Sequence, residues 1–348
     1  MGERKSAHLD LCIREDVESR RGTLLDEVHL FHEALPELSW DEVDPSLEVF
    51  GRRLQAPILI SGMSGGAEEA RELNRALATA AHKLGLGMGV GSQRAMLLDP
   101  ASADTYRVRE VAPDILLLAN LGAVQARDAG PARVARLASE IGADALCIHL
   151  NPAQELVQDE GDRDFRGCLD AIGELAARLP FPVIAKETGC GLSPRTLEGL
   201  LAAGVAWVDV AGAGGTTWTG VEALRGSRRQ RALGRALREW GIPTAASVLF
   251  ARRAGLGTIA SGGIRDENDI IRALALGADL TGLALPFLRA WSRGGAAGVM
   301  EVGQDLTEGL RALMLLTGAR DLGALRKIPR VLGPALQGWV GSSAPHRA

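Results

Sequence analysis

The chain has 348 residues, 46% of them hydrophobic, and a formal net charge of −4. That length buries a large core, as two average domains or as one α/β barrel, and the acidic balance excludes a general nucleic-acid binder, which needs a basic face. No apolar run approaches the about 20 residues of a membrane helix, and residues 1–21 are charged throughout, so no signal peptide is read and a cytoplasmic protein without a membrane partner is expected.

Residues 1–50 are polar, with charge clusters at Glu3-Arg4-Lys5 and Arg20-Arg21, and read as an N-terminal arm with a frayed basic start. From there short apolar runs recur at 57–61, 86–90, 115–120, Ala145–Leu150, Val183–Glu187, 206–211, 258–261 and 280–284. Stretches of helical period separate most of them, including Glu68–Leu84, 132–141, 170–179 and 267–276. Fully apolar strands alternating with helices indicate parallel pairing with both sheet faces covered. The simplest closure is a (β/α)8 TIM barrel over 51–290, in one domain with the arm and with a C-terminal helical extension over 291–348. Residues 303–316 read as a helix packed outside the barrel or against a partner, and 242–248 as a further strand or a helix start. A doubly wound sheet is the competing fold, but it carries its phosphate loop after the first strand. Here glycine-rich loops follow the first, sixth and seventh.

The run Ala145–Leu150 leads into Asn151-Pro152-Ala153-Gln154-Glu155. Strand alternation puts His149 and Asn151 on one face, and Pro152 forces a turn that brings Gln154 and Glu155 round to the strand tip. Polar groups crowded at the mouth of an apolar strand are costly to bury unless they serve a ligand. The loops Ser61-Gly62-Met63-Ser64-Gly65-Gly66, Gly212-Ala213-Gly214-Gly215-Thr216-Thr217 and Ser261-Gly262-Gly263-Ile264-Arg265 let backbone amides approach an anion. One such loop is an ordinary turn; several at strand ends favour a phosphorylated ligand. Lys186 ends the fifth strand, where an amine holds a phosphate, forms a Schiff base, stabilises an anionic flavin edge or sits in a buried ion pair. Asn120 and Ser92-Gln93-Arg94 add polar caps to the third and second strands. Glu155 suffices for Mg²⁺ beside a diphosphate, or is a solvated loop acid. Cys190 reads as a packed thiol without an adjacent base.

These residues resemble the type 2, FMN-dependent isopentenyl diphosphate isomerases. The resemblance spans nearly the whole chain: Arg4-Lys5 with His8, Met63-Ser64-Gly65-Gly66, Gly91-Ser92-Gln93-Arg94, His149-Leu150-Asn151 with Gln154-Glu155, Gly161-Asp162-Arg163-Asp164-Phe165, Lys186-Glu187, Gly214-Gly215-Thr216 and Ser261 to Arg265. It implies FMN at the barrel mouth, contacted by Gly62, Met63, Ser64, Ser92, Asn120, Lys186 and Thr216. Gly262, Gly263, Arg265, Ala284 and Leu285 fall at that family's phosphate positions. Arg4, Lys5, Ser92, Arg94, His149, Asn151 and Gln154 fall at its substrate positions, with Gln154 and His149 as catalytic residues and Glu155 as the Mg²⁺ ligand. NADPH is implied as the flavin reductant, and a homo-tetramer or homo-octamer as the assembly. Met-Ser-Gly-Gly stands where that family usually has Met-Thr-Gly-Gly, which keeps the hydroxyl.

Two other readings compete. An FMN-dependent 2-hydroxy-acid oxidase on the same barrel resembles a family with a histidine base and arginine late in the barrel, and this chain has no histidine between His149 and His346. A non-catalytic phospho-ligand-binding barrel would leave the Gln154-Glu155 pair and Lys186 without work.

Overall fold

Strands that are apolar on both faces need cover on both, and this chain meets that need by closing its sheet on itself. The computed structural model describes residues 2–341, with side chains from His8 onward. Two short antiparallel elements precede the barrel: β1 (Val28–Leu30) and the hairpin of β2 (Leu47–Val49) and β3 (Arg52–Leu54). The barrel strands are β4 (Ile58–Ile60), β5 (Gly87–Gly89), β6 (Leu117–Gly122), β7 (Ala145–Leu150), β8 (Val183–Glu187), β9 (Trp207–Asp209), β10 (Gly257–Ser261) and β11 (Leu280–Leu283). All pair in parallel and in chain order, and β11 meets β4 to close the ring.

The two-residue strand period divides each run between two cores. Ile60, Leu117, Leu121, Leu146, Ile148, Val208 and Ala260 join the layer beneath the surrounding helices. Leu59, Leu118, Cys147, Ile184, Ile259 and Leu280 form a separate core inside the barrel, and Val49 and Leu54 of the hairpin plug its lower end. Phe50 packs edge-on against Trp207, with ring centres 4.7 Å apart. Two residues further along each strand the inner layer turns polar: Ser61, Asn120, His149, Lys186, Asp209 and Ser261. The barrel is therefore greasy at its base and functional at its carboxyl rim.

Several boundaries differ from the sequence reading. The basic start is a helix, Gly2–Arg14, rather than a frayed tail, and it packs against the helices Trp218–Arg225 and Leu285–Leu316. The stretch 242–248 resolves as a helix start: Pro243 precedes the helix Thr244–Arg253. The helix expected over 303–316 begins at Leu285 and runs 32 residues, with one break at Gly295, where φ is 55° and ψ is −143°. Gly294-Gly295 hid its first half, because paired glycines read as a terminator. β1 pairs with β12 (Arg330–Leu332), so an early and a late segment of the chain meet outside the barrel sheet. Among the described residues no helix is long and apolar enough to cross a membrane.

Candidate active site

The polar rim opens into a cavity of about 250 Å³. Every site residue expected from sequence whose side chain is described lines it: Gly62, Met63, Ser64, Ser92, Arg94, Asn120, His149, Asn151, Gln154, Glu155, Lys186, Thr216, Gly262, Gly263, Arg265, Ala284 and Leu285. The side chains of Arg4 and Lys5 lie outside the described residues; their backbone is in the first turns of Gly2–Arg14, the helix that places His8, Leu9 and Cys12 on the cavity.

One wall is built by the end of β7. His149 Nδ1 lies 2.7 Å from Asn120 Oδ1. An amide oxygen only accepts, so this contact assigns the ring proton to Nδ1. Asn151 stands at the N-cap of the helix Pro152–Val157, and Pro152 costs that first turn no hydrogen bond. One turn of helix then carries Gln154 and Glu155 to the mouth. Asn151 Nδ2 donates to Glu155 Oε1 at 2.8 Å, and the Asp162 amide donates to Glu155 Oε2 at 2.8 Å. Glu155 is thus a buried carboxylate whose two oxygens each keep a lone pair.

Sequence reasoning missed Glu222. It rises from the helix Trp218–Arg225 and is only 5% exposed. Gln154 Nε2 donates to its Oε1 at 2.9 Å, Gln158 Nε2 at 2.7 Å, and His8 Nε2 lies 3.1 Å away. Burial pushes the Glu222 carboxyl up, but the contacts with His8, Gln154 and Gln158 outweigh it and hold the group below its ordinary range. A lone glutamate in a helical pattern reads as a solvated face; its spacing of four from Trp218, which meets His8 edge-on, was the available signal.

The opposite wall is glycine-built. A Cβ on Gly62 would strike the Val90 carbonyl, and one on Gly215 would strike the Gly263 amide. Gly263 also has a φ of 80°, a conformation that side chains resist. These loops therefore stack backbone on backbone, which part-answers why glycine is there and leaves the rim shallow enough for a ring system. Ser61 Oγ and Ser64 Oγ are buried without a protein partner, a state that normally calls for a ligand or water. The helix that starts at Leu285 turns its free amides to the same side. Arg265 joins them, though its guanidinium is already engaged by Glu18 at 2.7 Å, and Glu18 also meets Arg289 at 3.2 Å. Two cations and one anion leave one positive charge beside that helix start. Donor-rich glycine loops, a helix N-terminus and two orphaned hydroxyls fit FMN.

A divalent cation fits less completely. Among the described residues no group of three His, Cys, Asp or Glu could hold a metal. Glu155 fits one only where oxygens of a bound diphosphate complete the coordination.

The floor holds the ion pair weighed for Lys186. Its ammonium lies 2.7 Å from Asp209 Oδ2 and 3.4 Å from Ser261 Oγ, and it still faces the cavity. Cys190 is a packed thiol, pushed up to about 12 chiefly by burial.

With this geometry, relatives decide the family. The chain matches the FMN-dependent dehydrogenase family over residues 132–329. It is 50% identical to an isopentenyl-diphosphate delta-isomerase of Synechococcus sp., covering 95% of this chain and 96% of that one. It belongs to that isomerase family. Another isopentenyl-diphosphate delta-isomerase, from Halobacterium salinarum, is 46% identical over 95% of this chain and 93% of its own. Among solved structures, mandelate oxidase overlays with a TM-score of 0.67 at 19% identity, over 95% of this chain and 97% of that one. At that identity the likeness speaks for the shared barrel alone. In this chain the His149 to Glu155 segment and the glycine loops meet at one cavity.

Proposed function

We propose that this cavity binds FMN and an isopentenyl diphosphate chelated to Mg²⁺, and catalyses the 1,3-proton shift between isopentenyl and dimethylallyl diphosphate. The observation that carries the reading is the convergence, in one cavity, of a glycine-and-hydroxyl wall with the wall of Gln154 and Glu155, where Glu222 holds Gln154 from behind. The reaction adds a proton at one end of the allylic unit and removes one from the other, with no net redox change. Reduced FMN, with NADPH as its one-time reductant, would supply the proton exchange that ordinary side chains cannot achieve on an unactivated alkene.

The protein's own residues bind and orient. Gly62, Met63, Ser64, Ser92, Asn120, Lys186 and Thr216 would hold the ring system, and Gly262, Gly263, Arg265, Ala284 and Leu285 the cofactor phosphate. Arg4, Lys5, Ser92, Arg94 and Asn151 would grip the substrate diphosphate, with Mg²⁺ on Glu155. Glu222 accepts from Nε2 of Gln154, and Gln154 Oε1, which accepts only a long 3.4 Å contact from Asn151 Nδ2, would serve as the proton relay. His149 presents its ring at the same wall. Leu9, Met63, Trp218 and Leu288 give the mouth an apolar lining that keeps water from a developing cation.

We infer the same assembly of parts at larger scale: an arm over 1–50 that supplies substrate contacts, a barrel over 51–290 and an extension over 291–348 act as one unit. Phe31, Leu35, Leu316 and Val331 remain exposed near the β1–β12 pair, which supports a tetramer or octamer. The four cysteines are unpaired, which suits a reducing cytoplasm. The oxidase reading finds no late-barrel histidine to serve as base.

The test is an anaerobic assay with isopentenyl diphosphate, FMN, NADPH and Mg²⁺, each omitted in turn. Dimethylallyl diphosphate should form only with flavin, reductant and metal present, and NADPH use should be far below stoichiometric. Steady NADPH or oxygen consumption, or product formed without flavin, would overturn the reading.

A further inference from the structure

Among the described residues Lys186 is the one lysine on the cavity, and its side chain does not stand alone. Lys186 and Asp209 are direct partners in the register of β8 and β9, and Asp209 is in turn the partner of Ile259 on β10. Two residues beyond Ile259, Ser261 reaches back and donates to Asp209 Oδ1 at 2.5 Å, and the Ala211 amide approaches the same oxygen at 3.3 Å. The other oxygen, Oδ2, takes the Lys186 ammonium at 2.7 Å. Asp209 is 1% exposed, so none of these contacts is shared with bulk water.

This arrangement divides labour. A lysine has four rotatable side-chain bonds and an aspartate two, so a locked aspartate can aim a lysine where the reverse would fail. The strand geometry locks Asp209 first, through a hydroxyl from one neighbour and a backbone amide of its own loop. Only its second oxygen is left for Lys186. The adjacent Cys147 thiol, pushed up to about 12 by burial and by the charge of Asp209, stays neutral. The charges bearing on Cys147 are one ammonium and one carboxylate, of opposite effect.

We propose that Asp209 is a positioning residue that acts through Lys186: it fixes the ammonium at the cavity floor and offsets its charge, so that a bound flavin meets an aimed hydrogen-bond donor with a tempered positive field. This rests on the reading of Lys186 as an FMN contact. A full positive charge at that edge would favour the reduced, anionic flavin and raise its midpoint potential. The carboxylate holds that effect down, keeping the cofactor's proton affinity high enough for exchange with an alkene.

The experiment is a reductive titration of the holoenzyme for its flavin midpoint potential in wild type, Asp209→Asn, Lys186→Met and the double variant. Asp209→Asn should raise the potential by about 30 mV or more, equivalent to tenfold in the oxidised-to-reduced ratio of a two-electron couple. The absorbance change that marks proton uptake by the reduced flavin should move to lower pH. Lys186→Met should lower the potential. In that background a second change at Asp209 should move the potential far less, because the ammonium through which Asp209 acts is gone. Should Asp209→Asn fail to fold, Ser261→Ala gives the readout instead: Asp209 then keeps only the longer Ala211 amide contact besides Lys186, more of its charge offsets the ammonium, and the potential should fall. An unmoved potential in Asp209→Asn, an equal shift with and without Lys186, or an unmoved potential in Ser261→Ala would overturn the proposal. A flavin whose potential and affinity ignore Lys186→Met would instead overturn the underlying FMN contact.

Discussion

At the scale of single residues, the instructive pair is Glu155 and Glu222. Both are buried acids at one wall, and only the first was visible in the sequence, because it follows a strand tip within a polar cluster. Glu222 sits in a helix where an acid ordinarily faces water, and apart from Trp218 four residues before it no neighbour signals that His8, Gln154 and Gln158 converge on it. The long-range contact is what ties it to the cavity wall, and long-range contacts are what a single sequence hides. Its depressed pKa carries a linkage. The folded state binds fewer protons there than the unfolded chain, whose glutamates titrate near about 4.3. The stabilisation from Glu222 is therefore present above that pH and is lost as pH falls through the lower folded value. Glu222→Gln, scanned by thermal midpoint from about pH 6 to about pH 3, should show a shallower acid-side loss than wild type. Parallel curves for the two proteins would mean that Glu222 is not held ionised by its partners.

At the scale of elements, strand existence was legible to within two or three residues, since β7 and β8 are unbroken apolar runs bounded by polar tips. The helix Glu68–Leu84 was equally plain: its buried residues Ala70, Leu73, Leu77 and Ala81 follow the helical period, and Gly85 ends it in a left-handed conformation with φ 65°. What failed was the N-terminal helix, whose residues GERKSAHLDLCIR give no wide apolar stripe; it owes its stability to docking over the mouth. The inner-layer division was legible too, as a switch from apolar to polar within the last three residues of β6 to β10. That switch makes a test of the element. Leu118 lies inside the barrel at 1% exposure, one step below Asn120. Leu118→Ala should cost about 2–5 kcal/mol by denaturant unfolding, and loosening the support of Asn120 should also weaken flavin binding. A loss below about 1 kcal/mol would show that the interior is not packed as a continuous core.

At the scale of the whole molecule, the cavity is a meeting point of distant chain. The cofactor wall draws on loops after β4, β9 and β10 and on the helix start at Leu285. The segment just after the N-terminal helix is laced to the same loops: Ser19 donates to the Gly215 carbonyl at 2.8 Å, Thr217 to the Val17 carbonyl at 2.8 Å, and Glu18 bridges Arg265 and Arg289. A ligand that seats there touches elements separated by over 200 positions, so its binding free energy acts on global unfolding. FMN at about 100 times its dissociation constant should stabilise the fold by about 2.7 kcal/mol, a rise in thermal midpoint on the order of 5 °C for a chain of this size. Riboflavin, which lacks the phosphate, should give a smaller rise, because Gly262, Gly263, Arg265 and the helix start would have nothing to hold. The check is a thermal scan of apoprotein against each compound. A midpoint that ignores FMN concentration would remove the cavity as a cofactor site, and equal rises from FMN and riboflavin would remove the loop after β10 as the phosphate cradle.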